Sequence, residues 1–232
     1  MAIEAILFDC DGVLVDSEVV GLEDSVAYLQ SHGFPWTTDD VIRRFTGMRT
    51  DRFAEGLREG FIAAKGRPPT DDEFAAFLDG LIETRRAKRH EMRAIDGANA
   101  MLDAALRVFP GRLAVASSSA QIYLDDKIRR YDFGAYFDEH VYSADQVAHG
   151  KPAPDIFLHA ADRLGIAPAN CLVIEDSPNG VEAGVAAGMV VWGFTGGGHC
   201  LEDHAERLLS AKASAIHAHH PALARAIAEL GG

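Results

Sequence analysis

Asp9 and Asp11, one residue apart and followed by Gly12, are the residues of this chain best placed to do chemistry. They end an apolar run (Ile3, Ala5, Ile6, Leu7, Phe8) that reads as a buried strand. Ionised carboxylates are rarely left at the edge of an apolar layer unless a cation or a reaction uses them. In open α/β sheets the crevice beyond the carboxyl ends of the strands is where ligands bind. Taken alone, the motif has a second reading: a strand followed by an Asp/Gly turn. Other strand-like runs also end in reactive residues. Residues 113–116 lead into Ser117-Ser118-Ser119, a loop after the next run presents Gly150-Lys151-Pro152, and residues 171–174 lead into Glu175-Asp176-Ser177.

These residues need elements to hold them. Strand-like runs at 112–117, 139–143, 171–176 and 190–195 alternate with helical patterns at about 97–107, 121–130, 154–164 and 178–187. Such alternation predicts an α/β fold, a doubly wound parallel sheet with helices on both faces. No strand signal appears between about residues 18 and 93. The helix at 18–31 puts Val19, Leu22, Val26 and Leu29 on one face and stops at Gly33. Further helices run from Thr38 to Phe45, over about 51–64, and from Thr70 to about Met92, the last opened by a Thr70-x-x-Glu73 capping box. We therefore expect an α/β catalytic core at 1–16 and 94–232 and an inserted helical cap domain at 17–93. Gly196-Gly197-Gly198 reads as a flexible loop. The Ala-rich tail from about Leu201 reads as helical, with His217, His219 and His220 at its surface.

A formal net charge of -13 argues against nucleic acid or an anionic membrane as partner. It does not argue against a phosphate substrate, because phosphate sites are built locally from a metal, a lysine and backbone amides. No apolar run approaches bilayer length, and the first residues lack the pattern of a signal peptide. The three cysteines, Cys10, Cys171 and Cys200, are too few and scattered for a disulfide framework, so a reducing cytoplasm is expected. Cys10 and Cys171 lie in apolar runs and read as small buried hydrophobes.

Asp9-x-Asp11-Gly12-Val13-Leu14-x-Asp16-Ser17, Ser117-Ser118-Ser119, Gly150-Lys151-Pro152-Ala153-Pro154-Asp155 and Glu175-Asp176-Ser177-Pro178-Asn179-Gly180 occur in an order and at spacings that coincidence does not explain. Together they resemble the haloacid dehalogenase superfamily, in its branch of phosphatases and sugar phosphomutases. The resemblance covers nearly the whole chain and implies a Rossmann-like core, with the helical insert as that branch's mobile cap. Departures within the superfamily select the reaction. A dehalogenase is not expected to keep the second aspartate, and Asp11 is present. A phosphonate hydrolase would use a cap lysine soon after the first motif, whereas the cap's lysines are Lys65 and Lys88. The β-phosphoglucomutase type carries a cap histidine where the count from Asp9 falls on Gly21.

Hydrolysis of a phosphate monoester needs a nucleophile, neutralised phosphoryl oxygens and a proton for the leaving alcohol. Asp9 suits nucleophilic attack through an aspartyl-phosphate. Asp11 suits proton transfer, provided its surroundings raise its pKa. Asp9, Asp176 and the main-chain carbonyl of Asp11 offer the hard oxygens that Mg²⁺ prefers, with Glu175 a direct ligand or the holder of a metal-bound water. Lys151 balances the charge of Asp9 and the phosphate, and Ser117, Ser118 and nearby N–H groups bind phosphoryl oxygens. Outside this context Ser117 reads as a helix N-cap and Lys151 as a solvated lysine. In the cap, Glu18, Gly47 and Arg49 are the candidates for contact with the rest of the substrate. The expected protein is a Mg²⁺-dependent phosphatase of a small phosphorylated metabolite (a sugar phosphate or phosphorylated sugar acid), monomeric or weakly dimeric. The alternatives are a sugar phosphomutase and a non-catalytic binding protein on the same scaffold. The second would have no need to keep Asp9, Asp11, Lys151 and Asp176 together.

Overall fold

The apolar run before Asp9 forms the strand β1 (Ala5–Phe8), and every residue of it is buried. In the computed structural model, which describes residues 2–48 and 50–231 and the backbone alone of Thr50 and Asp51, four helices follow. They are α1 (Leu22–Ser31), α2 (Thr38–Phe45), α3 (Thr50–Lys65) and α4 (Asp71–Ala87). The chain then alternates: α5 (Ala98–Val108), β2 (Leu113–Ser117), α6 (Gln121–Arg130), α7 (Gly134–Phe137), β3 (Val141–Ser143) and α8 (Asp155–Leu164). It finishes with β4 (Cys171–Glu175), α9 (Pro178–Ala186), β5 (Val190–Phe194), α10 (His204–Ser210), β6 (Ala215–His217) and α11 (His220–Glu229).

The strands make one parallel sheet in the order β3-β2-β1-β4-β5-β6. With β1 at the centre, the chain winds first to one side and then to the other, so the order reverses between β1 and β4. That reversal opens a crevice at the carboxyl ends of the strands. Both faces are covered, which is why the central strands read as unbroken apolar runs. Ile6 and Phe8 pack with Met101 and Leu102 of α5 and Leu223 and Ile227 of α11. Ala5 and Leu7 face Ile156 and Phe157 of α8 and Leu208 of α10.

Helices α1 to α4 bury a cluster of their own, including Leu29, Phe34, Leu57, Phe74, Phe77 and Leu81. Two closely paired strands of chain connect them to the sheet: Asp16 N donates to Arg93 O at 2.9 Å and Ile95 N to Leu14 O at 3.0 Å. The Thr70–Glu73 capping box is present, and Thr37 with Asp40 forms a second one on α2. Helix α1 begins four residues later than the sequence pattern suggests, because Gly21 takes the left-handed conformation (φ 62°) at its N-cap. No helix among the described residues is long and apolar enough to cross a membrane.

The tail corrects the sequence reading. It contains the strand β6, which pairs Trp192 with Ala215 and covers the edge of β5. Three residues carry no periodicity, and Ala-rich flanks mask them. His220 is fully buried and stacks on Phe194 with ring centroids 4.5 Å apart, and His217 packs on Trp192 at 4.9 Å. Of the three tail histidines only His219 is exposed, where its side chain caps α11. Cys10 and Cys171 are buried as expected.

Phe77 anchors the helical cluster: its ring stacks parallel to Phe34 at 5.4 Å and meets Phe61 at 5.8 Å. Phe77→Ala is expected to lower stability by about 3–5 kcal/mol, read by urea denaturation. A loss below about 1 kcal/mol would mean the helices draw their stability from the sheet rather than from this cluster.

Candidate active site

Three strands deliver their last residues to one place. Asp9 follows β1, Ser117 ends β2 and Glu175 ends β4, with Asp176 next in line. Parallel pairing of β1 with both neighbours holds these ends level, and Asp9 N donates to Ile174 O at 2.9 Å.

Lys151 joins all three. Its ammonium donates to Asp9 Oδ1, to Ala116 O at 2.9 Å and to Glu175 Oε1 at 2.7 Å. An ammonium has three N–H donors, so this lysine is saturated by partners on β1, β2 and β4. It is buried, and Asp9 and Glu175 hold it cationic against the cost of burial. Glu175 is engaged at both oxygens, since its Oε2 accepts from Ser177 N at 2.8 Å and Ser177 Oγ at 3.0 Å. Ser177 caps α9 through Gly180 N, and a Cβ at Gly180 would fall 1.7 Å from Glu175 Oε1. Glu175 therefore stands behind Lys151 with both oxygens engaged, rather than open to a metal ion.

A second lysine serves Asp11. Lys127 on α6 donates to Asp11 Oδ1 and to Ser119 Oγ at 2.8 Å, while Ser17 and Ser119 also donate to the carboxylate, Ser119 at 2.7 Å. Burial alone would raise this carboxyl, but the Lys127 charge and the hydrogen bonds win and hold it down at about 2. The raised pKa expected for an acid at this position is not what the structure has. Asp9 goes the other way: burial, joined by Glu175, Asp176 and Asp11, pushes it up against the opposing charge of Lys151. Burial likewise pushes Asp176 up, to about 6, despite His199 nearby. His199 Nε2 lies 2.9 Å from Asp176 Oδ2, but off hydrogen-bond alignment, so this buried oxygen has no aligned donor. Negative charge thus exceeds what two lysines balance. The repulsion falls on Asp9 and Asp176, whose charged forms it disfavours.

Of the other sequence candidates, Ser117 is fully buried, accepts from Ser119 N at 3.1 Å and lies 3.4 Å from Asp11 Oδ2. Ser118 Oγ reaches Gly47 O at 3.4 Å, bringing a sheet loop against the end of α2. Glu18 is half-buried and close enough for its charge to act on both Lys127 and Asp176. Arg49 lies outside the described residues. A cleft of about 940 Å³ runs from Lys151 and Asn179 to Trp36, Arg44 and Met48 of the helical segment. Its size is that of a small-molecule site.

Lys127 and His199 are absent from the sequence candidates, and Ser17 and Ser119 stand in its motifs without a role of their own. Lys127 had a signal: it shares the buried face of α6 with Leu124 and Ile128, where a lysine needs a partner. The Gly196–Gly198 run had none, and it is more than a flexible loop. Gly198 N donates to Asp16 Oδ1 at 3.0 Å, which seats His199 beside Asp176.

The Lys127–Asp11 pair makes a testable link to pH. The Asp11 pKa is depressed from 3.8 to about 2, so its contribution to stability is present above pH 3.8 and lost as pH falls through that window. Lys127→Met should move the Asp11 carboxyl upward by more than about one pH unit, followed by the carboxyl carbon resonances of aspartate. An unchanged titration would show that Lys127 does not set the ionisation of Asp11.

A sequence model of the haloacid dehalogenase-like hydrolases matches residues 3–188. A phosphorylated carbohydrates phosphatase of Thermotoga maritima is 33% identical over 92% of this chain and 93% of its own. The 6-phosphogluconate phosphatase of Escherichia coli is 29% identical, over 90% and 88% of the two chains. Among solved structures, a haloacid dehalogenase family hydrolase of Deinococcus radiodurans with bound phosphate and sodium is 35% identical, with a TM-score of 0.78 over 99% of this chain and 96% of that one. The motifs, the sheet and these matches agree: the chain belongs to the haloacid dehalogenase-like hydrolase family.

Proposed function

We propose that this chain hydrolyses a small phosphorylated sugar or sugar acid through a phosphorylated Asp9, with Mg²⁺ as cofactor. The observation that carries the reading is the crowding of buried Asp9 and Asp176 beside a Lys151 whose three N–H bonds are already committed, with Asp176 Oδ2 left without a donor. The named substrates of the relatives, phosphorylated carbohydrates and 6-phosphogluconate, support the substrate class.

The residues fit Mg²⁺. Asp9, Asp176 and the Asp11 carbonyl would hold it, all hard oxygen donors, and Asp176 Oδ2 is buried with no aligned donor. When bound, the ion neutralises the phosphoryl oxygens and the carboxylates around them. Asp9 then stays ionised and attacks phosphorus. The bond from phosphorus to the sugar oxygen breaks as the departing oxygen takes a proton from a protonated Asp11, and water then attacks the phosphorus on Asp9, giving a proton back to Asp11 as phosphate leaves. Asp11, ionised in its resting contacts, suits the step that takes a proton from the attacking water. To act as acid it must first leave Lys127 and take up a proton in a less polar setting. Ser117, Ser118 and Lys151 bind the phosphoryl group.

Residues 17–93 act as a cap whose cleft reads the sugar, and Gly47 and Ser118 meet where cap and core touch. Water, not a sugar hydroxyl, is the acceptor. At the position of the mutase histidine stands Gly21, left-handed, where a Cβ would lie 3.2 Å from Arg85 Cα.

Phosphate release from a panel of sugar phosphates and sugar-acid phosphates, with Mg²⁺ and with a chelator, tests the reading. Asp9→Asn should cut Mg²⁺-dependent turnover by roughly three orders of magnitude or more. In metal-free protein it should also raise the melting temperature, since removing one of several crowded carboxylates relieves repulsion. Turnover by clean Asp9→Asn protein, or release that ignores the chelator, would overturn it.

A further inference from the structure

We propose that His199, Cys200 and His204 form a binding site for a borderline transition-metal ion of the Zn²⁺ class, separate from the carboxylate cluster. The three residues lie on the loop between β5 and α10 and at the start of that helix. One ligand atom from each comes within 4.8 Å of the others. Nothing in the hydrolytic reading uses them as ligands or nucleophiles.

The histidines are prepared as ligands are. Both are about 1% exposed, and the Nδ1 atom of each is buried without a hydrogen-bond partner. An unpaired buried imidazole nitrogen costs stability unless something occupies it. The other nitrogen of each ring lies against Asp176. His204 Nε2 donates to the Asp176 main-chain carbonyl, which leaves the Nδ1 lone pair free. His199 Nε2 lies 2.9 Å from the Asp176 carboxylate. The His204 contact is the support metal-binding histidines commonly have, one ring N–H held by a carbonyl so that the opposite nitrogen is fixed and made more basic. The two rings stand perpendicular, with centroids 5.4 Å apart. Cys200 Sγ lies 3.7 Å from His199 Nε2, the ring nitrogen that also faces Asp176, and is half-buried, which leaves a path from solvent.

The donor set chooses the ion. Two imidazoles and a thiolate suit Zn²⁺ and disfavour Mg²⁺, whose preferred ligands are oxygens. Ligands around a tetrahedral Zn²⁺ with bonds of about 2.0–2.3 Å stand roughly 3.3–3.8 Å apart, so the cluster must close by about 1 Å on binding. The site shares Asp176 as its support with the carboxylate cluster but offers nitrogen and sulfur where that cluster offers oxygen. The two therefore sort borderline from hard ions.

Cobalt(II) is the probe. Full-length protein in excess Mg²⁺, which fills oxygen sites, is titrated with Co²⁺ and followed by absorption. The expected result is a near-ultraviolet thiolate-to-cobalt charge-transfer band with intensified visible bands, displaced by Zn²⁺. Cys200→Ser, a near-isosteric change at a half-buried position, should remove the charge-transfer band and weaken Zn²⁺ binding at least about tenfold, with far-ultraviolet circular dichroism unchanged. Asp9→Asn should keep the band, so the result stands whether or not Asp9 is the nucleophile. Absence of the band in wild-type protein overturns the site by itself. A band that persists in Cys200→Ser, or that vanishes in Asp9→Asn, overturns it equally.

Discussion

Everything at this sheet edge depends on burying carboxylates around one lysine. Lys151 spends its three N–H bonds on three strands, taking Asp9 from β1, a carbonyl from β2 and Glu175 from β4. Buried charge is tolerated only when paired and hydrogen-bonded, and losing one partner leaves the other uncompensated. The parallel register, the order reversal at β1 and the absence of a side chain at Gly180 all serve to bring those groups together. Even so the pairing is incomplete, because Asp176 joins the cluster without a lysine of its own.

That shortfall separates two aspartates only one residue apart. Lys127, Ser17 and Ser119 surround Asp11 and hold it ionised. Asp9 shares Lys151 with Glu175 and is pushed toward its neutral form. Environments that drive two carboxyls apart allow them different tasks. A dication beside Asp9 would restore its charge, which makes the nucleophile conditional on the metal. On the proposed reading, loading of the metal and readiness of Asp9 would be one event.

The sequence made much of this legible, for physical reasons. Strands covered on both faces read as apolar runs, and polar residues at their ends stand out; this is how Asp9, Ser117, Glu175 and Asp176 could be found. The four helices were visible through their capping and periodicity. Partners supplied from elsewhere in the chain were not. Lys127 looks like one more charge on a polar helix until α6 is laid against Asp11, and His199 follows three glycines that carry no pattern. The three residues of β6 are too few to show an alternation, and the burial of His220 depends on Phe194 from another strand. Adjacent acids make Glu175 look like a metal ligand in sequence, whereas Ser177 and Lys151 engage its oxygens in the fold.

The account stands or falls on where the phosphoryl group goes. Acid quench during turnover of a good sugar phosphate, followed by proteolysis and mass spectrometry, locates it directly. The account predicts one phosphoryl mass on the peptide that carries Asp9, labile to hydroxylamine as an acyl phosphate must be. Steady turnover under the same conditions with that peptide unmodified, or with the label on another residue, would contradict it.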